Sequence, residues 1–456
     1  MTRCEQGNGN NMMRITAAVF VALAVLVVPL GLAATASAAT TGTDRNVTPS
    51  VIGPLPTDRF GGGMMVGVRA GLTTFGVFYG TSDHPNNVVI FAEETRILGG
   101  AEIVDGSGQR LATRGIPVQT VLAQSLNRFI EFNTTNASAG INLVPDYTGL
   151  AVNIPVKMLN LNTAGWTLSH MDYTTVGNLT TIDLNVTATD LRYTWVSPLY
   201  NSSAETGDGM LNMVAFDFHL VVTVQDKTLT LPWYKVTVSG LSREITNVTF
   251  EGNRTISGPS VVMGAKYDHV IEGWDFADPG NRLALETHLI FGNYYPDRTV
   301  DFIHAAYYRD AASSGNDTWR EDANTVTNFT APQIYTRDQI VFDDHWTRIG
   351  RFAWVSNVAV DGVQERMRFQ VQGGTRLVVS RGGAIFQGFA VRAAFLYPAG
   401  QSIIHDPTMS AESFMPTIAS GFSLTPFGIL LIQVAVVGVA LVPALYLRTR
   451  ARRTPK

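Results

Sequence analysis

The chain has 456 residues, with 37 acidic against 33 basic side chains, a formal net charge of −4 and one cysteine, Cys4. No basic stripe occurs outside the extreme C-terminus, which argues against nucleic-acid binding. A single cysteine excludes an internal disulfide framework and a cysteine-based metal site.

Ile15 to Ala33 is an apolar run preceded by Arg14 and followed by Ala34-Thr35-Ala36-Ser37-Ala38-Ala39. A basic flank, an apolar core and an A-x-A step predict a secretory signal peptide over residues 1–38. The run is long for a signal core, so an uncleaved N-terminal anchor is the alternative. Cys4 precedes this run, and a chain cut after Ala38 has no cysteine. Residues 39–56 are rich in Thr, Pro and Gly and read as a tether.

From residue 57 the pattern is β. Phe216, Phe218, Leu220, Val222 and Val224 alternate with Asp217, His219, Thr223 and Gln225. Leu283, Leu285, Leu289 and Phe291 alternate in the same way, as do Ile182, Leu184 and Val186, and Met367, Phe369 and Val371. These read as half-buried strands of antiparallel sheets. Turn signals punctuate them at Asp105-Gly106-Ser107-Gly108, Thr206-Gly207-Asp208-Gly209, Asp278-Pro279-Gly280-Asn281, Asp361-Gly362 and Gly382-Gly383. Pro117 to Phe132 fits either a helix or an aligned strand.

Residues 64–79 and 261–276 align with Gly67 on Gly264, Arg69 on Lys266 and Gly76 on Gly273. TIDLNVTA at 181–188 parallels RMRFQVQG at 366–373. These matches keep their order and suggest a duplication, although amphipathic strands also resemble one another by chance. The expected fold is all-β: two tandem β-sandwich-like ectodomains, 57–242 and 243–412, plus one C-terminal transmembrane helix.

Ten asparagines occupy N-x-S/T sequons: Asn46, Asn133, Asn136, Asn178, Asn185, Asn201, Asn247, Asn253, Asn316 and Asn328. Asn185 and Asn247 fall on the polar parity of their strands, where a glycan must sit. Many sequons without cysteine fit an archaeal cell surface better than a disulfide-rich secretory route.

No G-x-S-x-G, H-E-x-x-H, P-loop or EF-hand pattern occurs. Asp217-x-His219 and Glu286-x-His288 each place a carboxylate and an imidazole on one strand face. Side by side they would form a four-ligand metal site; the plainer reading is a solvated polar face. Asp83-His84, Asp268-His269, Asp344-His345 and His405-Asp406 read as surface hydrogen bonding. Residues 309–324 gather Asp310, Asn316, Asp317, Glu321, Asp322 and Asn324, hard donors suited to a structural calcium, but at the spacing of no calcium motif. Trp274, Trp319 and Trp346 stand beside acidic residues, as in a sugar-stacking face, although tryptophan more commonly packs a core.

Residues 413–426 form a stalk. Residues 427–447 carry no charge and are long enough to span about 30 Å of hydrocarbon. The tail 448–456 holds Arg448, Arg450, Arg452 and Arg453 and is expected on the cytoplasmic side. The expected protein is a single-pass plasma-membrane glycoprotein of the cell envelope with its ectodomain outside. Its expected role is structural, adhesive or ligand-binding, with envelope proteins or glycans as partners and no assigned catalytic residue or cofactor. The alternative is a membrane-tethered extracellular hydrolase acting on glycans or peptides.

Overall fold

A computed structural model describes residues 49–52, 62–68, 73–134, 141, 153–196, 209–239, 244–295, 325–326, 333–335, 339–343, 348–381 and 384–414. The expected signal peptide, membrane helix and tail and the stalk beyond Phe414 lie outside the described residues, as do Asn46, Asn136, Asn201, Asn316, Asn328, Trp319, Trp346, Asp344-His345 and the acidic segment 309–324; the first two stalk residues, Ser413 and Phe414, are strand. Among the described residues no helix is long and apolar enough to cross a membrane.

The first half contributes β1 (Pro49–Ile52), β2 (Gly62–Val68), β3 (Thr73–Tyr79), β4 (Val88–Asp105), β5 (Arg110–Phe132), β6 (Pro155–Asn160), β7 (Thr167–Val176), β8 (Leu179–Arg192), β9 (Thr194–Trp195) and β10 (Met210–Val238). The second contributes β11 (Ile245–Glu272), β12 (Arg282–Tyr295), β13 (Thr325–Val326), β14 (Gln333–Tyr335), β15 (Gln339–Asp343), β16 (Arg348–Ala353), β17 (Asn357–Val360), β18 (Val363–Arg366), β19 (Arg368–Arg381), β20 (Ala384–Pro398), β21 (Ser402–His405) and β22 (Thr408–Phe414). One 3₁₀ turn, Leu161–Thr163, interrupts them. The segment from Pro117 that fitted helix or strand is strand, the second part of β5.

Two layers face each other. Sheet I runs β1-β2-β3-β4-β5-β12-β20-β19-β14, with β6 and β9 continuing beside the last residues of β5. Sheet II runs β7-β8-β10-β11, after which β21 and β22 lie end to end along β11. The phenolic Tyr267 of β11 donates to Gln124 of β5 at 2.6 Å, and the Phe218 ring of β10 meets Phe75 of β3 edge-on at 6.3 Å. Phe216, Phe218, Leu220 and Val222 are buried between the layers, as their alternation requires. Each such side chain contributes about 1.5–3 kcal/mol by leaving water.

The pattern departs from simple half-burial in sheet I. Val88, Val89, Ile90 and Phe91 are all buried, as are Leu283 through Thr287, so both faces of this sheet are covered. On its outer side Ile130, Phe132, Ile141, Ala284, Ala394 and Leu396 form one apolar cluster. Ile141 exchanges both backbone hydrogen bonds with the Gln370 side chain, at 2.9 and 2.6 Å.

The expected boundary at 242/243 falls at the tip of the β10–β11 hairpin, whose strands pair from Met213↔Glu272 to Val238↔Ile245. Strands from both sides of that point join in both layers, β5 with β12 in one and β10 with β11 in the other, and residues Thr48–Leu424 form one compact unit. The β5–β12 and β10–β11 seams thus cross the expected boundary. The aligned segments also differ: 64–79 spans the β2–β3 hairpin, whereas 261–272 continues one straight strand.

The sheets are mixed rather than purely antiparallel. The far ends of two long hairpins meet where Gly100–Asp105 pairs parallel with Trp233–Val238. Ala101, Ile116, Val118, Tyr234, Val236 and Val238 pack there with Tyr295. Local turn chemistry agrees with the sequence. Asp361 and Gly362 join β17 to β18 with φ of 50° and 80°, the two positive values that a two-residue hairpin turn needs.

Candidate functional site

The two carboxylate–imidazole pairs do not meet. Asp217 and His219 lie on the outer face of sheet II, because Phe216 and Phe218, which alternate with them, point inward. Glu286 and His288 lie on the outer face of sheet I, opposite in sense to the inward Leu285. The four-ligand arrangement is therefore corrected: two sheets stand between the pairs. Among the described residues no group of three or more His, Cys, Asp or Glu side chains is placed to hold a metal ion.

Each pair has its own local role. Glu286 is held by Arg128 across the β5–β12 seam, by His288 at 3.2 Å and by Arg392 of β20 at 3.3 Å. Burial alone would raise its pKa. The His288 hydrogen bond and the charges of Arg128, His288 and Arg392 outweigh burial and hold it at about 2.

A second buried cluster closes one end of the sandwich. Register places Glu131 of β5 directly opposite Lys157 of β6. After β11, Gly273 turns the chain with φ +78°, a conformation favouring glycine. The following loop then brings Trp274, Ala277 and Asn281 onto Glu131. Trp274 Nε1 donates to one carboxylate oxygen at 3.0 Å; Ala277 N and Asn281 Nδ2 donate to the other at 2.8 and 2.6 Å. Lys157 Nζ stands 3.7 Å from Glu131 and from Asp275, and over the rings of Tyr193 and Trp195 at 4.8 and 4.6 Å. Trp274 is fully buried, so it packs the core and is not a sugar-stacking surface.

Glu93 is different. It is buried on the outer side of sheet I, where desolvation raises its pKa to about 7. A carboxylate whose folded pKa lies above its unfolded value favours the fold below the unfolded pKa of 4.5; that contribution is lost as pH rises through 7. Glu93→Gln is therefore expected to raise stability by about 3 kcal/mol at pH 8 and by little at pH 4. Urea midpoints of both proteins at the two pH values check this.

Two aspartate–histidine neighbours that read as surface pairs split across their strands. Asp268 and Asp406 face outward, while His269 and His405, directly opposite in register, point into the core. The buried groups form a chain. His405 Nε2 donates to Val355 O at 2.8 Å, leaving Nδ1 to accept from the Tyr397 hydroxyl at 3.2 Å. The same hydroxyl oxygen accepts from His269 Nδ1 at 2.8 Å. This direction leaves His269 Nε2 as a bare lone pair, and that atom has no hydrogen-bond partner. The only sequence signal for this chain was the repeated Asp/His adjacency.

No protein-family model matches the chain, and no curated protein sequence matches it. The outer face of sheet II stands apart on geometry. Its side chains are polar and open, with His219 and Asp183 49% and 48% exposed and 2.6 Å apart. Cross-strand rows place Asp172 beside Asp183 and Asp217 beside Asp268. Such like-charge neighbours weaken a sheet; here neighbours offset them. Asn185 Nδ2 donates to Asp217. Lys266 Nζ lies 3.1 Å from Asp268 and 3.3 Å from Asp406. Burial and the Asp406 carboxyl push the Asp268 pKa up, against the pull of Lys266. The face ends at β7, which is exposed along most of its length and pairs, among the described residues, with β8 alone.

Proposed function

We propose that this chain is a single-span glycoprotein of the cell envelope, its β-rich ectodomain outside, with a structural or adhesive role through its open polar face. The supporting observation is the placement of the sequons. Of those among the described residues, Asn178, Asn247 and Asn253 are exposed. Asn178 occupies the β7–β8 turn; the other two lie on the β10–β11 hairpin. The apolar segments 15–33 and 427–447 bracket the β-rich region as leader and anchor, with 448–456 inside the cell. The low cysteine count favours an archaeal envelope, and envelope proteins or glycans are the fitting partners.

The reading makes a graded prediction. Asn178, Asn247 and Asn253 are expected to carry glycans in most molecules. Asn185 and Asn133, which are half-buried, are expected to carry fewer. Glycopeptide mass spectrometry of native protein, with protease shaving of intact cells, tests both occupancy and location. An unglycosylated, protease-protected chain would overturn the proposal.

A further inference from the structure

We propose that β7 pairs edge to edge and antiparallel with β7 of a second copy of this chain. The edge presents a row of backbone donors and acceptors without a neighbouring strand among the described residues, and such an edge is a template for another chain. Native edges are usually protected by lysine, proline or shortness. Here the ten-residue edge TLSHMDYTTV has no lysine or proline, its protective features being Asp172 and a bulge between Leu168 and His170. Two large apolar side chains are open on it: Tyr173 is 59% and Val176 69% exposed.

The sequence of the edge is self-complementary. In an antiparallel pair, directly opposite residues must both turn their backbone groups toward the partner or both away. These groups alternate along a strand, so a two-fold axis must pass through a residue. Axes through Met171, Asp172 and Tyr173 give Asp172 three different partners. An axis at Asp172 sets that carboxylate against its own copy, which is unfavourable. An axis at Tyr173 sets Asp172 against Thr174. An axis at Met171 sets His170 against Asp172 of the second copy, and the reciprocal pair with it, on the same outer face. Charge therefore selects Met171.

The neighbouring sequon leaves the edge clear. Asn178 Nδ2 is directed to Val224 O of β10 at 2.9 Å, on the far side of β8 from the edge. A seam one strand long is a small contact, below about 1,200 Å² of buried surface, and is weak between free molecules. Copies held together on one surface gain effective concentration without any new contact. The pairing is a property of the fold and does not rest on the proposed location.

The test uses the full-length chain, purified in detergent, with Cys4→Ser and one new cysteine at a time. Under mild oxidation Met171→Cys is expected to form a disulfide-linked dimer, while Asp172→Cys and Tyr173→Cys stay monomeric. Asp172→Lys, which also relieves the contact with Asp183 and so spares the fold, is expected to weaken self-association about tenfold in sedimentation equilibrium. The exchange His170→Asp with Asp172→His is expected to restore it. Cross-linking only through Tyr173→Cys would overturn the charge-selected register. No cross-link at any position, or association indifferent to Asp172→Lys, would overturn the pairing itself.

Discussion

Replacing Glu131 with glutamine is expected to destabilise the protein by about 3–5 kcal/mol, the usual cost of removing one partner of a buried ion pair. Glu131 is fully buried and Lys157 is 1% exposed. The carboxylate accepts three hydrogen bonds from the loop after β11 and faces the Lys157 ammonium. An amide in its place keeps only one accepting oxygen and turns an NH₂ group toward donors. Lys157 would retain Asp275, itself 81% exposed, and so only partly screened from water. Adding Lys157→Met is expected to recover a large part of the loss. An unbranched apolar chain suits the slot between Tyr193 and Trp195, and exchanging both ions for apolar packing is often neutral. Guanidinium midpoints of the two variants decide the matter. A loss below about 1 kcal/mol for Glu131→Gln would mean that the loop from Gly273 to Asn281 is not held through this carboxylate.

What the sequence made legible follows from the range of each interaction. Alternation exposed β8, β10 and β12, because side-chain direction along a strand is a local property with period two. Turn chemistry at Asp361-Gly362 and at Asp105 was equally local: Asp105 Oδ1 accepts from Ser107 N and Gln109 N, both at 2.9 Å. Pairing partners are not local. Glu286-x-His288 and Asp217-x-His219 show the same pattern, yet β12 and β10 lie in different layers. Nothing in either tripeptide records that assignment. The tandem reading rests on equally local signals. A long hairpin such as β10–β11 places the midpoint of the chain at a loop tip, and a loop rich in turn residues looks the same whether it separates domains or joins two strands. Lys157 and Glu131 were passed over because charged residues are seldom fully buried. Only the register of β5 with β6, and the loop folding over both, reveals the pair.

Acid is expected to weaken the protein in a window set by the two buried histidines. Burial holds the His405 pKa at about 4 and drives that of His269 well below its ordinary value, with the neighbouring His405 adding to the effect. The facing groups are Tyr267, Tyr397, Phe216 and Phe395, with Asp406 beside His405. A histidine with a depressed folded pKa binds its proton more readily in the unfolded chain. Its contribution is full above the unfolded pKa of 6.5 and is lost as pH falls toward the folded value. His405 alone accounts for about 3 kcal/mol between pH 6.5 and 4, with His269 acting in the same direction. Glu286 acts in a separate window: its depressed pKa makes its contribution fade as pH falls from 4.5 toward 2. In the Glu93→Gln protein, which lacks the opposing titration of Glu93 between pH 7 and 4.5, unfolding free energy measured from pH 7.5 to 4 should therefore fall with a slope approaching two protons. His269→Phe added to it keeps the ring contacts and removes one titrating site, so its slope should approach one proton, even if its stability at pH 7.5 is lower. Equal slopes for the two proteins would show that His269 is protonated in the fold. Both of its ring nitrogens would then be donors, Nδ1 still to the Tyr397 oxygen.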